Sequence, residues 1–219
     1  MWSNLEKLCV MINELDFDAA AADVATDLDQ HDFRAMSEYA CHAGVDPDDL
    51  DFHDEVMLAD FKRFIAEFSG DLVAEAAAGI QFGADVSEDG LRIWRSIMVD
   101  RDWLDDGLYA RPLGVCWSFE EGAAECHYGD FSVGLREIRV EAFVDPADVD
   151  WATTLRLNAR MDEEKEIRVK DDAFVTVVSA AWVGRRHAGD PGRAMADIAT
   201  GPFPAGDEAF SSGLQFRAA

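Results

Sequence analysis

Apolar residues in the first 80 or so positions recur at helical spacing. Leu5, Leu8, Cys9, Ile12 and Leu15 fall three and four residues apart, which places them along one side of a helix. Ser3 followed by Glu6 has the form of a capping box, so that helix should start there. A second helix is expected over residues 32–42, stopping before Gly44. A third starts near Asp54 and carries Phe61, Phe64, Ile65, Phe68, Leu72 and Val73, with Gly70 as a candidate break.

After Gly83 the pattern changes. β-branched and aromatic residues gather into short runs separated by Gly, Asp and Pro, which is how strands read in sequence. Candidate strands are 91–99, 114–118, 135–143, 167–169 with their flanks, and 174–183. One helix, 119–127, is expected between the second and third. The tail from Arg185 to Ala219 is rich in Gly, Pro, Ala and Asp and shows little periodicity, so it reads as loop or partly disordered. Helices first and strands second imply an α+β fold rather than a doubly wound parallel sheet. The expected division is a helical region at 1–85, a strand-rich core at 86–185 and a loop-rich tail at 186–219.

Composition adds constraints. With 219 residues and 49% hydrophobic content the chain can bury a substantial core. No apolar run reaches the roughly 18 to 20 residues that span a bilayer, and the N-terminus carries no basic leader, so no membrane partner and a cytoplasmic location are expected. Cys9, Cys41, Cys116 and Cys126 are widely spaced, which favours free thiols over a disulfide framework. There is no CxxC, HxxxH or HExxH, and the adjacent pairs Cys41-His42 and Cys126-His127 aim poorly at one ion, so no metal is expected. The acidic connector from Asp46 to Glu55 lacks the glycine and spacing of an EF-hand and reads as a solvated link ending in an Asp54 cap.

Charge changes the picture most. Forty-five acidic against 19 basic residues give a formal charge of −26. A surface of that sign repels phosphate, which disfavours nucleic-acid partners. The acids are dispersed along the chain, a pattern that speaks to solvation, to attraction for a basic partner, or to mimicry of DNA. GxGxxG and GxxxxGKS are both absent, so neither a Rossmann nor a P-loop nucleotide site is indicated.

Three short segments carry candidate chemistry. In Arg92-Ile93-Trp94-Arg95-Ser96-Ile97, period two places Arg95 on the side of Ile93 and Ile97, where a guanidinium needs an anionic partner, either a diphosphate or a neighbouring carboxylate. Gly114-Val115-Cys116-Trp117-Ser118 is a short strand in which Ser118 suits either a helix cap or the floor of a nucleotide cleft. In Asp162-Glu163-Glu164-Lys165-Glu166-Ile167-Arg168-Val169, an extended backbone would point Glu164 and Glu166 the same way, as a solvated edge face or as a pair of working carboxylates.

The order of these segments resembles the arginine, STS and ExE elements of mono-ADP-ribosyltransferases, over roughly residues 90–183. Glu164-Lys165-Glu166-Ile167-Arg168-Val169, followed by Phe174-Val175-Thr176-Val177-Val178-Ser179, is similar to that family's carboxylate strand and the hydrophobic strand behind it. Val149-Asp150-Trp151 with Thr154 and Leu155 lies where the family places the approach to its substrate-recognition turn. Cys116-Trp117-Ser118 stands where the family has Ser-Thr-Ser, so only Ser118 matches and Cys116 replaces the serine that braces the catalytic glutamate; a thiol is the weaker hydrogen-bond partner.

The resemblance implies an ADP-ribosyltransferase-like split β-sandwich over 86–185, with NAD as substrate. Glu166 would stabilise the oxocarbenium character that develops as the nicotinamide bond breaks. Glu164 would orient or deprotonate the acceptor, Arg95 would anchor the NAD phosphate or ribose, and Ser118 would hold the cleft strand. Cys116 and Trp117 would complete the NAD pocket. The turn 160–163 would touch a protein acceptor, and glutamate at 164 points to arginine among the acceptors. Two alternatives stay open: an NAD glycohydrolase that passes ADP-ribose to water, and a non-enzymatic acidic protein that mimics DNA or sequesters a basic partner.

Overall fold

Each of the four leading helices begins where a short polar side chain takes up free amides of the first turn. The computed structural model, which describes residues 2–99, 112–124, 136–183 and 201–206, shows this from the start. α1 (Asn4–Asn13) opens on the expected capping box: Ser3 Oγ accepts from the Glu6 amide, and the Glu6 carboxylate accepts from the Ser3 amide. α2 (Phe17–Asp27) starts at Asp16, α3 (Phe33–Ala43) at Asp32, and α4 (Glu55–Gly83) at Asp54. α3 ends on Gly44 at φ +70°, a left-handed cap that favours glycine.

Two details depart from the expected pattern. α2 was not expected, because its alanine-rich sequence buries only Ala20 and Val24 and leaves little periodic signal. α4 is unbroken for 29 residues. Open space surrounds Gly70, while Phe61, Ile65, Leu72, Val73, Ala77 and Ile80 continue the buried stripe on either side of it. Ser69 in that stripe is fully buried and donates its hydroxyl to the Ile65 carbonyl, which offsets the cost of desolvating it.

The second half supplies β1 (Val86–Ser87), β2 (Gly90–Val99), β3 (Cys116–Ser118), β4 (Arg136–Val144), α5 (Trp151–Arg160), β5 (Glu166–Arg168), β6 (Phe174–Val183) and β7 (Gly201–Pro204). Among the described residues the strands form one antiparallel sheet in the order β5-β3-β2-β4-β6-β7, with β1 paired to β2. The architecture is α+β, as the order of elements implied.

Two local expectations need correction. Residues 119–124 do not begin a helix: Ser118 Oγ closes a turn with Glu120, and only a single 3-10 turn follows at Glu121–Ala123. The rest of the expected helix, 125–127, lies outside the described residues. The tail is not all loop, since β7 pairs with β6 and buries Phe203. Its Pro202 and Pro204 lack amide donors, which an edge strand with one neighbour tolerates. Residues 184–200 and 207–219 lie outside the described residues.

Alternation along the strands separates two faces. Leu91, Ile93 and Ile97 of β2, Ile138, Val140 and Ala142 of β4, Trp117 of β3 and Ile167 of β5 are all buried. They join Leu8, Ile12, Val24, Leu72 and Ile80 of the helices in one hydrophobic cluster. Removing a fully buried leucine such as Leu8 costs about 2–5 kcal/mol. The other face carries Arg92, Trp94, Ser96, Arg139, Glu141, Cys116, Ser118, Glu166 and Arg168.

The sheet also curls. Leu113 and Gly114, leading into β3, donate to the carbonyls of Pro204 and Ala205 at the end of β7, at 3.1 and 2.8 Å. Those segments belong to strands four places apart in the sheet order, so the contact requires a strongly bent ladder.

Gly114 sits at this closure with φ +86°, and a Cβ there would lie 2.7 Å from the Arg95 guanidinium. Strain at such a backbone angle costs on the order of 1–3 kcal/mol for a residue with a side chain. Gly114→Ala should therefore lower the unfolding free energy by about 2 kcal/mol. Urea denaturation checks this, and an unchanged midpoint would contradict the packing described.

Candidate functional site

The short strand β5 holds the residue on which the expected chemistry centres, and three side-chain and backbone contacts fix it. β5 pairs with β3 in the register Cys116↔Arg168, Trp117↔Ile167 and Ser118↔Glu166. Its other edge would leave amide and carbonyl groups without strand partners, a cost that buried backbone does not tolerate. α5 supplies the missing groups. Thr154 Oγ1 accepts from the Arg168 amide at 3.0 Å, Asn158 Nδ2 donates to the Glu166 carbonyl at 2.6 Å, and the Asp150 amide donates to the Arg168 carbonyl at 2.8 Å.

α5 can do this because its sequence divides by position. Asp150 caps the helix by accepting from the Thr153 amide. Trp151, Thr154, Leu155, Asn158 and Ala159 are all buried and recur at the three- and four-residue spacing of one helix face. The apolar members anchor the helix to the core, while Thr154 and Asn158 serve the edge of β5.

Glu166 opens β5 on the polar face of the sheet and is partly buried. Its neighbour is Cys116. Burial raises the pKa of the Cys116 thiol; the hydrogen bond to Glu166 and the Glu166 charge raise it further, and Arg168 only partly opposes them. These influences favour the protonated thiol beside the carboxylate, while its sulfur accepts from Arg168 Nη1 at 3.4 Å. Arg168 also pairs with Asp171 at 3.5 Å. The result is a row of thiol, carboxylate and guanidinium along the polar face of β3 and β5.

The remaining expected residues are placed differently. Ser118 lies directly across from Glu166 and is buried, but its hydroxyl donates to the Glu120 carbonyl and accepts from the Glu120 amide, closing a turn. Trp117 points into the core, 3% exposed, with Nε1 donating to the Gly114 carbonyl. Arg95 alternates with Trp94, and Trp94 pairs with Ser118, so Arg95 leaves the opposite face of the sheet from Glu166. Its guanidinium donates to the Cys116 carbonyl and packs against Gly114. Arg92, on Trp94's side, pairs with Asp85 at 3.0 Å and Glu141 at 3.4 Å.

Glu164 does not share a strand face with Glu166. It ends a 3-10 turn at Asp162–Glu164, and Lys165 then adopts φ +49°. That left-handed residue turns the chain from α5 into β5, so the strand starts at Glu166 and period-two alternation does not reach Glu164. The conformation costs a non-glycine residue roughly 1–2 kcal/mol. It is held in place by the Phe119 amide, which donates to the Lys165 carbonyl at 2.9 Å.

The fold thus brings Cys116, Ser118 and Glu166 together with Arg168, and keeps Arg95, Trp117 and Glu164 apart from them. Thr154, Asn158 and Arg168 belong to the site's framework; the sequence pattern places Thr154 only on the approach to a turn and Arg168 only within the strand, and it gives Asn158 no part. Among the described residues no group of three or more His, Cys, Asp or Glu is placed to hold a metal ion, and no helix is long and apolar enough to cross a membrane. Cys9, Cys41 and Cys116 are free thiols. Comparison with protein-family models, with curated proteins and with solved structures returns no match to this chain.

If Asn158 secures β5, Asn158→Ala removes its bonds to the Thr154 and Glu166 carbonyls and leaves the latter short of a donor. The expected loss is about 2 kcal/mol of stability, with faster amide exchange concentrated at Ile167, Arg168 and Val169. Uniform exchange across the sheet would contradict this role.

Proposed function

We propose that this chain cleaves NAD at the nicotinamide–ribose bond and passes ADP-ribose to a macromolecular acceptor, with Glu166 as the residue that stabilises the transition state. The observation that carries the reading is the contact between Cys116 and Glu166. The resemblance to mono-ADP-ribosyltransferases calls for a brace beside the catalytic glutamate at position 116, and a protonated thiol stands there. On this reading the strand-rich half is an ADP-ribosyltransferase-like core and NAD lies over the polar face of β3 and β5.

The chemistry asked of Glu166 is electrostatic. As the glycosidic bond lengthens, positive charge grows on the ribose, and a fixed carboxylate interacts with it more strongly than with the ground state. The S–H of Cys116 and the α5 contacts hold the carboxylate so that little reorganisation is needed. Arg168 is the guanidinium next to Cys116 on this face, whereas Arg95 lies on the opposite face and donates to the β3 backbone. With Glu164 off the strand, bond cleavage rests on Glu166 alone, and acceptor handling falls to the turn around Asp162–Glu164. That division also suits a glycohydrolase, in which water takes the acceptor's place.

A second reading is favoured by the charge. A formal charge of −26 dispersed over the chain suits a non-enzymatic protein that binds a basic partner, and such binding would weaken steeply with salt.

Release of nicotinamide from NAD separates the readings. Glu166→Gln should reduce release at least a hundredfold, the order of loss seen when one electrostatic stabiliser is removed, while leaving the unfolding midpoint near that of the wild type. Cys116→Ser, which restores a stronger hydrogen-bond partner, should retain turnover. Equal release by the wild type and Glu166→Gln, or none by either, would reject the enzymatic reading.

A further inference from the structure

On the helical side of the protein, α3 and α4 face each other across an open groove of about 420 Å³. Arg34, Glu38 and His42 line it from α3, at the four-residue spacing of one helix face. Phe64, Phe68, Leu72 and Glu75 line it from α4 at three- and four-residue spacing, with Asp71 beside Leu72. The two helices run antiparallel here: the His42 ring meets Phe64 at 5.2 Å, while Arg34 lies at the end that holds Leu72 and Glu75. At 1.5 Å per residue the stretch from Phe64 to Glu75 is roughly 16 Å long, about three turns of a helix.

The floor of the groove is apolar. Phe64 and Phe68 are half-buried and stack with centroids 5.3 Å apart and planes 16° from parallel. The buried Tyr39 ring packs on Phe64 at 5.5 Å and on Phe61 at 5.2 Å, so the floor is supported from the core.

The rim is acidic. Glu38, Asp71 and Glu75 are exposed along it, with Arg34 at one end. None of these four side chains forms a salt bridge among the described residues. Carboxylates alone would mark nothing in a chain with 45 acids. Here they flank an aromatic floor of helical length, and both the charges and the ring faces attract a cation.

We propose that this groove binds an amphipathic helix of a basic protein partner. Its apolar side chains lie on Phe64 and Phe68, and its Lys or Arg side chains meet Glu38, Asp71 and Glu75, the helix-in-groove mode of recognition. A second copy of this chain, itself carrying −26, would bring like charge to the same rim. The inference rests on the basic-partner reading, to which it gives a place, and is independent of Glu166.

Fluorescence anisotropy of a labelled synthetic helix of roughly four turns, built of leucine and lysine with the leucines along one face, tests it by titration with the full chain. A peptide of the same composition in scrambled order keeps the charge and loses the apolar face. The ordered peptide should bind about tenfold tighter or more than the scrambled one, and both should weaken with salt. Glu38→Lys combined with Asp71→Lys should weaken the ordered peptide about tenfold or more. Glu88→Lys combined with Asp89→Lys makes the same charge change at exposed positions outside the groove, and should leave affinity within about twofold. Equal binding of the two peptides, or equal loss in the two charge variants, would overturn the groove while leaving attraction to basic partners in place. No binding of either peptide at low salt would overturn both. A wild-type dimer that the groove variant dissociates in sedimentation would assign the groove to a second copy and overturn the proposal as well.

Discussion

The hydrogen bonds from α5 to the outer edge of β5 are the constraint on which the candidate site depends. A three-residue strand has too few ladder bonds to hold a side chain in place by itself. Here one edge is paired to β3, and the other is satisfied by Thr154, Asn158 and the Asp150 amide. The strand is thereby tied to the core through Trp151 and Leu155, which are buried on the same helix. The Glu166 backbone inherits that rigidity, and the thiol of Cys116 lies beside its carboxylate on the β3 side. Preorganisation of this kind is what electrostatic stabilisation needs, because a group that must move at the moment of reaction loses much of its advantage.

The same framework explains why other candidate residues take structural parts. Arg95 emerges among Ile93, Ile97 and Trp117 and uses its guanidinium on the backbone at Cys116 and on Gly114. It acts as a strut where the curled sheet closes, rather than as a ligand on the Glu166 face. Ser118 closes the turn that delivers Phe119 beneath the end of α4, where its ring comes against Gly83. These parts are coupled: moving Gly114, Arg95 or Ser118 displaces β3, and β3 sets the position of Cys116 relative to Glu166.

Much of the fold was legible in the sequence where a local signal matched the outcome. The Ser3–Glu6 box, the caps at Asp32 and Asp54, the stop at Gly44 and the strand run 174–183 all depend on short-range chemistry that neighbouring residues reveal. α5 is legible in principle: Asp150 as cap with Trp151, Thr154, Leu155, Asn158 and Ala159 at helical spacing is a complete signal. Other features depend on distant partners. Nothing near Lys165 announces a left-handed residue, because what holds it is the amide of Phe119, 46 positions away in the chain. β7 likewise depends on β6, and its two prolines argue locally against a strand. The site was half legible: chain order brought Cys116, Ser118 and Glu166 together, but strand alternation could not place Glu164 once the strand began later than expected.

The most direct test of the central claim, that Cys116 braces Glu166, is the titration of the Cys116 thiol, followed by its alkylation rate against pH. In the wild type the thiol should ionise above the ordinary cysteine range of about 8.5, because its own burial and the carboxylate beside it favour the protonated form. Glu166→Gln removes both the negative charge and the strong acceptor, so the thiol should ionise at lower pH and react faster at a given pH. Identical titration in the two proteins would contradict the contact between these groups, and with it the account of the site.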